Sequence, residues 1–140
     1  MMSSIEPSKL QEALCKIDVR LKKLAQYSDA RKKIDNFKFF LHYLQSNQGK
    51  TYYSIHDIKT ISNIDSNDEL VSIIEFFSSV LDVEYIYLTY DSEIIISKES
   101  YEEAVSHRGI PIELRTGKII EGFEMKRLSF YCIINPQLQV

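Results

Sequence analysis

The 140-residue chain has no tryptophan, three prolines, four glycines, two cysteines, and not one lysine or arginine between Lys59 and Lys98. Each shortage excludes something. The glycines fall in neither G-x-G-x-x-G nor G-K-[ST] spacing, so no glycine-rich loop is available to cradle phosphate. Cys15 and Cys132 stand far apart and form no C-x-x-C pair, which argues against a disulfide framework or structural zinc and for two buried, inert thiols. His42, His56 and His107 have no partner at metal-ligand spacing, and His42 reads as a core or boundary residue. Neither G-x-S-x-G nor H-E-x-x-H occurs. No catalytic, cofactor-binding or metal-ligating residue is therefore expected. No apolar run approaches the roughly 20 residues of a membrane span. The opening MMSSIEPSKLQEAL lacks the basic-then-apolar pattern of a secretory signal. A cytoplasmic, non-enzymatic protein without a membrane partner is the expectation.

What is present is an ordinary globular composition, 44% hydrophobic and 26% charged, long enough for one core domain with an appendage. The net charge of −3 conceals a strong asymmetry along the chain. Residues 1–59 hold eleven basic and six acidic groups, residues 60–97 none and eight, and residues 98–140 six of each. A chain so divided is suited to facing different partners with its two ends, or to pairing its own halves.

Ser8 and Gln11 form a capping box, and Leu10, Leu14, Ile17, Leu21 and Leu24 then repeat at spacings of four and three. This predicts an amphipathic helix with a narrow seam, packed against one other helix of the same chain or of a second copy. Lys16, Arg20, Lys22 and Lys23 decorate it, and Arg31, Lys32, Lys33 and Lys38 decorate a second helix expected over 29–46. Ile34, Phe37, Leu41 and Leu44 form that helix's stripe, with Gly49 available for a left-handed residue after its end.

Tyr52-Tyr53 reads as a strand, and Ser54 with Asp57 caps a short helix to about Asn63. Ser66 with Glu69 caps another, expected to reach Leu81, with Leu70, Ile73, Ile74, Phe77 and Val80 inward and Asn67, Asp68, Ser72 and Glu75 outward. Val83–Tyr90 and Ile94–Ile96 read as a hairpin turning at Asp91-Ser92. Beyond it, Ser100 and Glu103 predict a helix stopping at Gly109. Residues 110–114, 118–122 and 128–134 predict a small antiparallel β-meander that covers the core.

A strand, two short helices and a hairpin, preceded by a helix, resemble the winged helix-turn-helix superfamily over about residues 35–97. The expected class is α+β: an N-terminal amphipathic helix (1–28), a winged-helix domain (29–99), and a short helix with the β-meander (100–140). The resemblance implies that the second helix of the motif and the wing would carry basic and amide side chains to DNA. This chain departs from that pattern, because acidic groups occupy both elements. Affinity for duplex DNA comes largely from cations that displace phosphate counterions, so such a face disfavours nucleic acid. The favoured reading is a non-enzymatic protein-protein interaction module, a small subunit or regulator docking through Asp68, Glu75, Asp91 and Glu93. The alternative is a dimeric winged-helix transcription regulator, paired through its N-terminal helix. It would touch phosphate or an acidic partner through Arg20, Lys23, Arg31, Lys32 and Lys33, and read bases through Asn67 and Ser72.

Overall fold

A computed structural model describes residues 8–27 and 31–139. Among them run helices α1 (Lys9–Tyr27) and α2 (Arg31–Ser46), strand β1 (Tyr52–Ser54), helices α3 (Ile55–Ser62) and α4 (Asn67–Phe76), strands β2 (Leu81–Leu88) and β3 (Glu93–Ile96), helix α5 (Lys98–Val105) and strand β4 (Leu128–Ile134). The class is mixed α+β. The strands lie in the order β1-β4-β2-β3. Two compact units divide the chain: one runs to Asp82 and takes in the stretch from Ile133, and the other is Val83–Cys132. The breaks fall at 82/83 and 132/133, whereas the sequence suggested 28/29 and 99/100.

In the first unit α1 packs on α2. Its seam, Leu10, Leu14, Ile17 and Leu21, is buried within the one chain, with Leu24 partly covered, so a second copy is not needed to cover it. Cys15 lies outside that stripe and is exposed, contrary to expectation, while Cys132 is buried. His42 is exposed as well, on the far side of α2 from its stripe of Ile34, Phe37, Leu41 and Leu44. The expected start of α2 at Asp29 lies outside the described residues. After α2, Gly49 does not adopt the left-handed conformation. Instead Asn47 Nδ2 donates to the Tyr43 carbonyl at 2.9 Å and Lys50 N to Asn47 O at 3.0 Å.

The capping boxes of α3 and α4 form, and at the start of α1 Gln11 N donates to Ser8 Oγ at 3.0 Å. Ser54 Oγ accepts from Asp57 N at 3.0 Å while the Asp57 carboxylate accepts from Ser54 N at 3.1 Å, and α3 ends on left-handed Asn63, whose turn is closed by Ile64 N donating to Lys59 O at 3.0 Å. Helix α4 stops at Phe76, short of the expected Leu81. Val80 O is taken by Asn135 N at 2.8 Å, and Leu81 already begins β2. Phe77, at the end of α4, sits edge-on to Phe40 with centroids 4.9 Å apart, in a core shared with Tyr53, Ile58 and Ile73.

In the second unit the hairpin forms in the expected place, with Tyr85 opposite Ile96 and Leu88 opposite Glu93. Helix α5 begins earlier than predicted, with Ser97 as its cap; Ser100 Oγ instead accepts from Ile112 N at 3.3 Å. It ends on left-handed His107 and not at Gly109, with Arg108 N reaching back to Glu103 O at 2.8 Å. The expected meander does not form. Residues 110–122 make only isolated bridges, Ile112 to Ile119 and Ile96 to Glu113, because Pro111 has no N–H to give and left-handed Gly117 and Gly122 turn the backbone too soon for a ladder. Only 128–134 becomes a strand, and it lies between β1 and β2. Tyr87, Ile96 and Ile120 form the small core of this unit, with Tyr85, Tyr101 and Phe123 against them.

Candidate docking face on helix α4

Helix α4 is fixed at its start by Ser66 Oγ, which accepts from Glu69 N at 3.1 Å, and by the Glu69 carboxylate, which accepts from the Ser66 hydroxyl at 3.0 Å. That hydroxyl bond is the main reason the Glu69 carboxyl is held below the usual glutamate range; desolvation opposes it, and the charge of Lys32 adds to it. With the start fixed and Leu70 and Ile73 facing the core, the periodicity turns Asn67, Asp68, Val71 and Glu75 to solvent. Asp68 and Glu75 make no ion pair among the described residues.

Cations come to this face from elsewhere in the chain. A groove of about 320 Å³ runs between α2 and α4, with Lys32 and Lys33 on one rim, Asp68 and Glu69 on the other, and Phe37 and Ile73 beneath. A second groove of about 430 Å³ shares Lys33, Phe37 and Ser72 with the first and extends to Arg20 on α1 and Glu75 on α4. The Arg20 guanidinium lies 4.9 Å above the ring of Phe76, which is itself stacked on Phe37 at 4.2 Å. Lys23 and Arg31 are exposed and line neither groove. Three of the five predicted cations thus stand beside the acidic helix. The face is mixed in charge, not uniformly acidic.

Asp91 and Glu93 belong to the second unit, exposed at the hairpin turn, where Thr89 Oγ1 accepts from Ser92 N at 2.9 Å and donates to Asp91 Oδ1 at 3.2 Å. Here too a cation arrives that the sequence did not announce. Arg127 stacks 4.5 Å over the Tyr90 ring, donates to Leu88 O at 3.3 Å and pairs with Glu124 at 3.2 Å. Hydrogen bonds from Lys126 and Arg127 hold the Glu124 carboxyl below its usual range. Nothing in the local pattern around Arg127 signals a meeting with Tyr90; only the pairing of distant strands creates it.

Among the described residues no group of His, Cys, Asp and Glu converges as a metal site, and no helix is long and apolar enough to cross a membrane. Comparison of the chain with protein families, curated protein sequences and solved structures finds no match.

Proposed function

We propose that the chain is a non-enzymatic protein-interaction module, a small subunit or regulator that docks onto a protein partner through helix α4. The order β1, α3, α4 and the β2–β3 hairpin supports a winged-helix scaffold for it, with β4 as an added strand between β1 and the hairpin. One observation carries the functional reading: the outer face of α4 presents exposed Val71 between Asp68 and Glu75, two carboxylates without an ion-pair partner among the described residues. An apolar centre with a charged surround suits a protein partner, whereas the phosphates of a duplex would be repelled by it. Asn67, which base reading would require, already accepts a hydrogen bond from Lys59 Nζ at 3.0 Å. Ser72, its companion in that role, is half-covered in the groove wall.

The test is quantitative co-isolation from the native cell of wild type, Asp68→Lys/Glu75→Lys, and Asp91→Lys/Glu93→Lys. Partner recovery should fall at least fivefold for the α4 pair. An unchanged partner set for both variants would refute the docking role. Gel-shift titration over a range of salt should show no specific duplex binding. Affinity that falls steeply with salt would give the protein to DNA instead.

A further inference from the structure

Resting on that docking role, we propose that the groove between α2 and α4 is the seat of one occupant: an amphipathic helix of about two turns, contributed by the protein partner. It would carry acidic side chains on the flank facing α1 and α2 and basic ones on the flank facing α4.

Three features specify this occupant. The first is shape. The two contiguous hollows share Lys33, Phe37 and Ser72 and follow α4 from Asp68 to Glu75. Seven residues at 1.5 Å each make that run about 10 Å, or two turns of a helix laid alongside. Two hollows in succession over aromatic and aliphatic floors suit two apolar anchors one turn apart, at i and i+3 or i+4.

The second is charge. Along one rim stand Arg20, Lys32 and Lys33, and along the other Asp68, Glu69 and Glu75. Of these only Glu69 is engaged at hydrogen-bond distance, with Ser66, and none of the six is in an ion pair among the described residues. Arg31, Lys32 and Lys33 also crowd the first turn of α2, where the helix dipole disfavours cations. Rims of opposite sign fit a ligand whose two flanks differ in charge. A polyanion would satisfy one rim and be repelled by the other.

The third is a polar side chain in the groove wall to which the chain itself gives no hydrogen-bond partner among the described residues. Asn36 is only 5% exposed, lines the wall beside Phe37, and makes no side-chain hydrogen bond among the described residues. Solvent in the groove reaches that amide, since among the described residues the buried side-chain atoms left without a partner are Tyr53 OH and Ser62 Oγ, and an occupant that displaces the solvent must give it a new partner. The polar edge of a bound helix would supply one.

The experiment uses a display library of 16-residue peptides selected on the full chain and counter-selected on Ser72→Arg, which places a long side chain where the two hollows meet. Enriched peptides should show apolar residues at i and i+3 or i+4, with acids on one flank and Lys or Arg on the other. Synthesised and measured by fluorescence anisotropy, they should bind Ser72→Arg at least tenfold more weakly, with an unchanged thermal melt confirming that the variant folds. Asn36→Leu, which keeps the bulk and removes the amide, should weaken binding severalfold. Exchanging the acidic and basic flanks of the same peptide should weaken it at least tenfold.

Peptides that bind wild type and Ser72→Arg equally, or that are enriched as extended or purely acidic sequences, would overturn the proposal. The two readings fail separately. If the groove selects nothing while Asp68→Lys/Glu75→Lys still loses its cellular partners, docking on α4 stands and the helix in the groove falls. If both fail, so does the module itself.

Discussion

The two units dispose of their apolar side chains differently. In the unit that runs to Asp82, helices supply the core by local repetition: Leu14, Ile17, Leu21, Phe40, Leu44 and Phe77 are all nearly inaccessible, and among its exposed large apolar residues are Val19, Phe39, Tyr52 and Val71. The unit from Val83 to Cys132 gathers Tyr87, Ile96 and Ile120 in a small cluster, buries Ile86, Ala104 and Cys132 besides, and leaves Ile95, Ile110, Ile112, Leu114 and Ile119 exposed. A stretch of this length has too much surface for its volume. The helical unit can therefore use its surface for charge placement, as in the groove beside α4, while the other has little reserve of stability.

The largest effect that would break this comparison lies in the cores. Phe77→Ala removes a ring in contact with Phe40 and Phe37 and should cost about 3–5 kcal/mol, a large share of the roughly 5–15 kcal/mol that holds a domain together. Ile120→Ala, in a thinner cluster able to relax, should cost about 2 kcal/mol, the low end for such truncations. Urea denaturation of both variants measures the difference. Equal costs would mean that the second core is as closely packed as the first. Amide exchange should likewise be faster in β3 than in α2.

Next in size are the caps. Ser54→Ala and Ser66→Ala should each cost about 1 kcal/mol, since each frees a backbone N–H that now donates to the hydroxyl. A cost near zero at either site in thermal melts would show that solvent replaces that bond. The same boxes set a dependence on acid. Burial pushes the Asp57 carboxyl up, but hydrogen bonds from Ser54 and the charge of Lys50 outweigh it, and Glu69 is likewise held low by Ser66. Both groups are more acidic folded than unfolded. The stability they contribute is present above their unfolded values of about 3.9 and 4.3 and is lost as pH falls through that range toward their folded values. The combined variant Asp57→Asn/Glu69→Gln should be less stable than wild type at neutral pH, and the gap should close below about pH 4. A gap unchanged from pH 7 to 3 would show that the carboxylates contribute nothing as charges.

How far these regions could be read from sequence follows the same division. Helices α1 to α4 and the capping boxes of α3 and α4 were legible because their signals lie within a few residues: an apolar repeat of three and four, a serine with an acid three positions on. The end of α4 was not: beyond Phe76 the bonds tighten to three-residue spacing, Ser78 N to Glu75 O and Val80 N to Phe77 O, and Leu81 enters β2, whose partner β4 lies far along the chain. Pairing of distant strands placed β4 between β1 and β2, where the sequence offered an appended meander. The candidate site was half legible. Asp68 and Glu75 lie on the exposed face of α4 as periodicity required, but their neighbours Lys32, Lys33 and Arg20 come from helices whose crossing the pattern does not encode. Asn36 was passed over for a related reason: a polar residue beside an apolar stripe reads as solvent-facing until a second helix covers it.

The smallest expected effect tests whether the second unit's exposed side chains do anything for its stability. Leu114 is 62% and Ile119 59% exposed, flanking the turn closed by Gly117 N donating to Glu113 O at 2.9 Å. With the backbone bonds of the turn intact, changing both to Lys removes little buried area and adds no unpaired buried charge. The double variant should therefore stay within about 0.5 kcal/mol of wild type, as surface substitutions usually do. The check is a denaturation curve at two protein concentrations. A loss above about 1 kcal/mol at both concentrations would mean that these side chains are covered within the chain, so that the second unit is better packed than its small core suggests. A loss that grows with concentration would mean instead that copies of the chain cover them in one another, because association stabilises the folded state by mass action.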